Sequence, residues 1–155
     1  MRPADLLQPA AMAAACAYAA WNARDLLDAW RDSPYDRAGV AAFAVWLCAG
    51  LAARWRRTGA GPLPAAWGVA VSVAGAVAEI NALEHAGLAL VLASVLAPAG
   101  VRAWVWTAGA VSWAPALGYA CSSWMSPLAA GGLRVALAAA AAAALLLGGN
   151  RGRET

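Results

Sequence analysis

Residues 128–147 read LAAGGLRVALAAAAAAALLL, a run of twenty residues in which only Arg134 is charged. An α-helix that crosses the hydrocarbon core of a bilayer needs about 20 mostly apolar residues. This stretch therefore predicts a membrane-spanning helix. Its alanine run, from Ala138 to Ala144, predicts a smooth helix surface that neighbouring helices can approach closely.

The composition of the whole chain has the same character. AVILMFWYC residues make up 63% of its 155 residues and charged residues 12%, whereas soluble domains carry about 25% charged residues. This number of charged side chains is too small to cover the surface of a soluble domain of this size. The composition indicates an integral membrane protein. It argues against a disordered tail, a disulfide scaffold and an ordinary cytosolic enzyme.

The basic residues do not indicate a nucleic-acid partner. The formal net charge is +3, and all eleven basic residues are arginines. They are scattered between apolar runs rather than clustered on one face, which a nucleic-acid site would require. In a membrane protein, their distribution is instead information about topology.

Six apolar runs separated by turn signals predict six helices. They cover residues 6–26, 39–53, 64–83, 83–97, 102–120 and 128–147. Links this short are typical of an antiparallel bundle, so the predicted fold class is an all-α polytopic transmembrane bundle in a single domain. Pro115 predicts a kink in the fifth helix. The first helix also has features of a signal peptide, but Asp5 offsets Arg2, which favours an uncleaved helix.

The long outer loop, residues 22–38, has two interpretations. One is a solvated linker in which arginines and aspartates compensate each other. The other is a short interfacial helix with Leu26, Leu27 and Trp30 on one face, lying on the outer leaflet.

The arginines predict the orientation of the bundle. With the N-terminus inside, seven arginines fall at the inner face and three at the outer face, as the positive-inside rule requires. The inner set is Arg2, Arg54, Arg56, Arg57, Arg102, Arg151 and Arg153, and the outer set is Arg24, Arg31 and Arg37. We therefore expect a multi-pass protein of the inner membrane with both termini cytoplasmic and the lipid bilayer as its partner.

Polar residues in the apolar runs are the candidate site residues. Glu79 and Asn81 fall near the outer end of the third helix, and a carboxylate in hydrocarbon is costly. Glu79 is therefore expected to face the bundle, hydrogen-bonded to Asn81 or to another helix. Arg134 is expected to snorkel outward, to pair with Glu79 or Glu84, or to anchor an anionic group.

Three residues on the same predicted outer face have the chemistry of a thiol enzyme. A cysteine becomes a nucleophile when a nearby base or cation favours its thiolate. Cys121, His85 and Arg134 would supply these groups if the third, fifth and sixth helices meet. The alternative is a half-buried cysteine and an interfacial histidine with no shared role. No metal or cofactor is expected, because a chain with one histidine and no CxxC spacing lacks the usual ligand sets.

Three short motifs resemble a known family. Residues 30–39, WRDSPYDRAG, precede an apolar helix that ends ARWRR at residues 53–57, and residues 64–68, PAAWG, open the next helix. This pattern resembles the N-terminal part of the exosortase/archaeosortase family over roughly residues 21–96. Members typically carry a W-x-x-(D/S)-P-Y-(S/A)-H-G outer loop, a helix ending in W-R-R and a Pro-x-x-x-G helix start.

The resemblance implies a polytopic membrane protein that acts at the outer face of the inner membrane. Family members are cysteine transpeptidases that cut C-terminal sorting signals, and their Cys, Arg and His come in that order. Cys121-Ser122-Ser123 is similar to the family's Cys-Ser-Gly step, and Arg134 matches the arginine. No histidine follows Cys121, and Ala38 stands where the loop has histidine.

The first hypothesis is therefore a shortened, non-catalytic relative that binds a protein or a sorting-signal helix. Its candidate binding residues are Glu79, Asn81, Glu84, Trp30, Tyr35 and Trp124. The second is a minimal membrane cysteine transpeptidase or protease that uses Cys121, His85 and Arg134. The third is a small structural subunit of a membrane complex.

Overall fold

The computed structural model describes residues 3–55, 63–96 and 101–147, and the side chains within 9–53, 65–96 and 101–147. Along these residues the chain forms eight α-helices and one 3₁₀ segment, Gly109–Ser112. The helices are α1 (Pro3–Asn22), α2 (Asp25–Asp32), α3 (Gly39–Trp55), α4 (Leu63–Ala78), α5 (Asn81–Leu96), α6 (Val101–Ala108), α7 (Pro115–Cys121) and α8 (Pro127–Leu147). The predicted all-helical class is confirmed for this part of the chain.

One helix within the described residues, α8, is long and apolar enough to cross a membrane on length and composition. The apolar helices α3, α4 and α5 are shorter, with 17, 16 and 16 residues. At 1.5 Å per residue, sixteen residues span about 24 Å, against a hydrocarbon core of about 30 Å. Five of the arginines used to predict the orientation lie outside the described residues, namely Arg2, Arg56, Arg57, Arg151 and Arg153.

The fifth predicted helix, residues 102–120, is broken rather than continuous. It consists of α6, the 3₁₀ segment and α7. Ala114 is extended, with φ −70° and ψ 137°, and Pro115 is the first residue of α7. A residue before proline is driven out of the helical region, while proline suits the first helical position. The break therefore lies where Pro115 predicted a kink.

The outer loop contains a short helix, α2, as one of its two interpretations predicted. Leu26 and Trp30, four residues apart, are buried on the same face of α2. Leu27 is 67% exposed, so its predicted place on that face is wrong. Adjacent helix positions point about 100° apart, which puts Leu27 on the side away from Leu26.

The third predicted helix ends five residues early, at Ala78 instead of Leu83. Glu79 has φ 56°, in the left-handed region, and the Ile80 N–H donates to the Gly75 carbonyl at 2.9 Å. This is the six-to-one hydrogen bond of a Schellman helix end, where glycine is the usual left-handed residue. Because Glu79 is exposed at this corner, the prediction that it faces the bundle is wrong.

The chain divides into two compact units. The first contains α1, Asp25, α4 and α5 through Val95. Its α4 and α5 approach each other through small residues. A Cβ atom at Gly68 would lie 2.6 Å from the Val91 backbone nitrogen, and one at Gly87 would lie 2.7 Å from the Ser72 Cβ. Contacts this close leave no room for a side chain, as is typical of small-residue helix packing.

The second unit contains α2 from Leu26 onward, α3, α6, the 3₁₀ segment, α7 and α8. Its centre is a set of five aromatic rings on α2, α3 and the α6–α7 segment. They are Trp30, Phe43, Trp46, Trp106 and Trp113. Helix α8 packs against α3, α6 and the 3₁₀ segment through a buried face made mostly of alanine.

Trp46 and Trp106 link α3 to α6. Their rings stack with centroids 3.9 Å apart and planes 4° from parallel. The Trp46 Nε1–H donates to the Trp106 carbonyl at 2.7 Å, and the Trp106 Nε1–H donates to the Trp46 carbonyl at 3.0 Å. Both indoles are fully buried, so the reciprocal bonds remove the cost of burying two N–H groups.

Candidate functional sites

Arg134 is the charged centre of the second unit. It lies in the second turn of α8 and has no solvent exposure. Its Nε donates to the Tyr35 carbonyl at 3.0 Å, its Nη1 to the Ser112 carbonyl at 2.9 Å, and its Nη2 to the Asp36 carboxylate. A buried charge is tolerated when it is paired and hydrogen-bonded in this way. Arg134 therefore neither snorkels nor pairs with Glu79 or Glu84, and both of those predictions are wrong.

The tight turn between α2 and α3 supplies the partners of Arg134. The Asp36 N–H donates to the Ser33 carbonyl at 3.1 Å, and the Gly39 N–H donates to the Asp36 carbonyl at 2.7 Å. The Tyr35 hydroxyl donates to the Met125 carbonyl at 3.2 Å. These bonds fix the turn so that the Tyr35 carbonyl and the Asp36 carboxylate both face Arg134. The SPYD turn, residues 33–36, therefore holds α8 to the α2–α3 connection inside the unit.

Helix α7 passes over this ion pair at Gly118. A Cβ atom at Gly118 would lie 2.7 Å from the Arg134 Nη2 and 2.8 Å from the Asp36 Cγ. Cys121 lies three residues further along α7 and is 1% exposed. Two of the three predicted catalytic residues therefore share one part of the fold.

The third predicted catalytic residue, His85, belongs to the first unit. Its Nε2 lies 3.0 and 3.1 Å from the two carboxylate oxygens of Asp25. The Asn81 Nδ2 donates to Asp25 Oδ2 at 2.8 Å, which holds the carboxylate from a second side. His85 is 3% exposed. Its Nδ1 is buried and has no hydrogen-bond partner among the described residues.

A hydrogen bond between two further polar side chains links α1 to α4 in the same unit. The Asn22 Nδ2, at the end of α1, donates to the fully buried Ser72 Oγ of α4 at 3.0 Å. Asn22 pairs with Ser72, and His85 pairs with Asp25, so these polar side chains of the unit meet in pairs. Pairing of this kind is how polar groups between apolar helices are satisfied.

The remaining predicted binding residues fall into two groups. Trp30 and Tyr35 make internal contacts, because the Trp30 Nε1–H donates to the Trp113 carbonyl at 3.0 Å and Tyr35 bonds to Met125. Trp124 is 67% exposed, and its indole N–H is satisfied by the Ala120 carbonyl at 2.7 Å. Glu84 is half-buried, with its Cγ against Gly75.

Two acidic residues were missed by the sequence analysis. Asp36 pairs with Arg134, and Asp25 pairs with His85. Both lie in the outer loop, residues 22–38, for which one of the two interpretations is a linker whose arginines and aspartates compensate each other. The available signal for Asp36 was its position in the SPYD turn immediately before a helix. For Asp25 the sequence contains no local signal, because His85 is 60 residues away.

Within the described residues, no group of three or more His, Cys, Asp and Glu side chains is placed to hold a metal ion. Comparison with family models, curated proteins and solved structures finds no match to this chain.

Proposed function

We propose that the chain is a multi-pass helical protein of the inner membrane, a relative of the exosortases that acts as a non-catalytic binding module at the outer face. The bound partner is a protein segment or a sorting-signal helix that lies against the bundle in the bilayer. The proposal draws on the sequence motifs and on the distribution of polar and apolar side chains.

The observation that carries the proposal is the reversed polarity of the fold. The side chain of Arg134 has no exposed surface, whereas Val77, Tyr119 and Leu128 are more than 80% exposed. The burial of Arg134 is compatible with either solvent because Asp36 pairs with it, whereas large exposed apolar surfaces are rare in soluble domains. A bilayer accounts for both features, since lipid covers the apolar side chains and charges must turn inward.

The composition of the core supports the same proposal. More than half of the buried apolar residues in the described part of the chain are alanine, namely Ala19, Ala23, Ala42, Ala49, Ala53, Ala89, Ala93, Ala110, Ala130, Ala138, Ala141 and Ala142. Helices in lipid gain no hydrophobic energy by meeting each other, so they associate through small residues that allow close approach. Soluble cores of this size rely on larger side chains.

The state of the candidate catalytic groups supports a non-catalytic role. The donors of Arg134 are committed to Asp36, Tyr35 and Ser112, so its guanidinium is occupied by the fold. Cys121 is buried, and the imidazole of His85 bonds to Asp25. A binding role is left to the exposed groups at the predicted outer face, of which Trp124 and Glu79 are the clearest.

The test combines sidedness with processing. A reporter that is active only in the periplasm, inserted after Arg37 in the α2–α3 turn, should be active, while the same reporter fused after Thr155 should be inactive. A tagged exported protein with a C-terminal sorting signal should be retained by the chain in gentle detergent but not shortened. Periplasmic activity of the Thr155 fusion would overturn the topology, and absence of retention would overturn the binding role.

One observation favours a second candidate, a membrane cysteine transpeptidase. Cys121 lies on α7 three residues after Gly118, which packs against the Arg134 guanidinium, and a cation close to a thiol favours the thiolate nucleophile. Cleavage of the tagged protein that is lost in Cys121→Ala, but kept in Cys48→Ala, would select this candidate over the binding module.

A further inference from the structure

The turn between α7 and α8, residues 122–126, satisfies its polar side chains internally. The hydroxyls of Ser122 and Ser123 donate to backbone carbonyls three residues earlier, at 2.7 and 3.3 Å. The Trp124 Nε1–H donates to the Ala120 carbonyl at 2.7 Å. All three side chains are exposed, so burial does not force these bonds.

An exposed indole that bonds to its own chain is informative about the surrounding solvent. In water, each of these donors finds a partner without turning back to the chain. Serines do bond to nearby carbonyls at many helix ends, but here the Trp124 indole also turns to the backbone. In hydrocarbon no water is available, and every unsatisfied polar group is costly. The internal bonds of this turn are therefore the ones that a lipid environment requires.

The side chains on either side of the turn are large and mostly apolar. Tyr119 of α7 and Leu128 of α8 are more than 80% exposed, and Trp124 between them is also exposed. No charged residue occurs between Arg102 and Arg134 in the sequence. An exposed apolar patch on an uncharged turn marks a contact with another molecule or with a membrane. Tyrosine and tryptophan are the residues enriched where hydrocarbon meets the headgroups.

The neighbouring α2–α3 turn limits the depth of this contact. The Tyr35 hydroxyl donates to the Met125 carbonyl at 3.2 Å, so the two turns touch within the second unit. The end of α2 and the turn after it carry exposed Arg31, Asp32 and Arg37. Exposed charges remain in water or among headgroups. The α7–α8 turn therefore lies within the reach of one tyrosine side chain of that level.

We propose that the α7–α8 turn, together with Tyr119, Trp124 and Leu128, is inserted into the outer leaflet, among the acyl chains just below the headgroups. Lipid is favoured over a protein partner, because a protein surface offers hydrogen-bonding groups that this turn does not need. The proposal rests on the bilayer location in the proposed function. A binding partner that contacts Trp124 then reaches it through the leaflet.

A fluorescent label at the turn tests the insertion directly. In a Cys16→Ala/Cys48→Ala background, Ser123→Cys is labelled with an environment-sensitive dye, and the protein is placed in phosphatidylcholine nanodiscs. Cys121 is buried and stays in place, and the background protein without Ser123→Cys gives the signal to subtract. Lipids that carry a doxyl quencher high on the acyl chain should quench the label strongly. Iodide in the water should quench it weakly.

Three further positions calibrate the measurement. Iodide should quench a label at Arg37→Cys about fivefold or more as strongly as one at Ser123→Cys, because an ion does not enter hydrocarbon. A label at Ala140→Cys, on the exposed face of α8, should be quenched best by a doxyl group near the end of the acyl chain. Leu128→Cys should behave as Ser123→Cys does, and it decides the matter if Ser123→Cys disturbs the turn.

The outcomes separate this proposal from the bilayer location itself. Lipid quenching at Ala140→Cys together with iodide quenching at Ser123→Cys would place the turn in water. That result would overturn the insertion and leave the membrane proposal intact, whereas iodide quenching at every position would overturn both. Protection of the Ser123→Cys label from iodide and from lipid quenchers would assign the turn to a protein contact, such as a second copy, and would also overturn the lipid contact.

Discussion

The Arg134 guanidinium and the Asp36 carboxylate form an ion pair whose arginine is completely buried, and the two residues lie 98 positions apart in the chain. The pair joins α8 to the α2–α3 turn. The guanidinium also donates hydrogen bonds to the backbone carbonyls of Tyr35 and Ser112. It is the one buried ion pair of the second unit among the described residues, since the Arg31–Asp32 pair is exposed. Replacing either side chain by an uncharged one leaves the other as an uncompensated buried charge.

Arg134→Met is therefore expected to lower the free energy of unfolding by about 3–5 kcal/mol. The double variant Arg134→Met/Asp36→Leu should recover a large part of that loss, because it removes both charges. Equilibrium unfolding in a mixed-micelle denaturant series measures both effects.

The exposed pair Arg31–Asp32, with N···O 3.8 Å, serves as the control. Arg31→Met should leave the unfolding midpoint unchanged, since exposed ion pairs contribute little. A double variant no more stable than Arg134→Met would contradict the ion-pair account.

The stacked indoles provide a second prediction. Trp106→Phe keeps an aromatic ring against Trp46 but loses the N–H donated to its carbonyl, so it should cost about 1–3 kcal/mol for the orphaned acceptor and the smaller ring. Trp106→Ala should cost about 3–5 kcal/mol through the cavity it leaves. Trp104→Ala, on the same helix but 67% exposed, should change the stability little. The unfolding midpoint should be highest for Trp104→Ala, lower for Trp106→Phe and lowest for Trp106→Ala if Trp106 is the buried, stacked indole. An equal loss of stability in Trp104→Ala and Trp106→Ala would contradict this.

The close contact of α4 and α5 predicts opposite outcomes for two glycine substitutions. Gly87→Ala places a Cβ 2.7 Å from Ser72 and should destabilise the fold by about 1–3 kcal/mol through overpacking. Gly132→Ala, in α8, meets nothing within 4 Å and should stabilise the helix by up to about 1 kcal/mol. Thermal unfolding followed by circular dichroism gives the sign of each change. A stabilising Gly87→Ala would mean that α4 and α5 do not touch there.

The left-handed residue at the end of α4 predicts a stabilising substitution. Glu79→Gly should raise the free energy of unfolding by about 1 kcal/mol, because glycine adopts φ 56° without the steric cost that a Cβ imposes. Glu84→Gly, inside α5, should lower stability by a similar amount. Comparison of the two unfolding curves tests the backbone geometry at this corner. Stabilisation by Glu84→Gly, or loss of stability in Glu79→Gly, would contradict it.

The sequence predicts the helices well because apolar runs and proline act locally. The start of α3 at Gly39 and the break before Pro115 follow from such signals. The end of α4 was missed because a left-handed glutamate has no sequence signature. A Schellman end there is stabilised by the Ile80–Gly75 bond, which forms only once both residues are placed.

The partners in the candidate sites were harder to predict. Arg134 was recognised as a costly charge, but its partner depends on how the SPYD turn is held by Tyr35 and Met125. His85 was grouped with Cys121 from their shared predicted face, whereas its bonded partner is Asp25. Long-range pairing of this kind is set by tertiary packing, which helical periodicity does not encode.

The central claim, that the exposed apolar side chains of the helices face hydrocarbon, is tested most directly at Cys48. This thiol lies exposed on α3, and a thiolate does not form in hydrocarbon. In a Cys16→Ala/Cys121→Ala background, a water-soluble maleimide should label Cys48 in sodium dodecyl sulfate but not in intact membranes. A cysteine placed by Arg37→Cys, in the outer turn, should be labelled under both conditions. Rapid labelling of Cys48 in intact membranes would contradict the account.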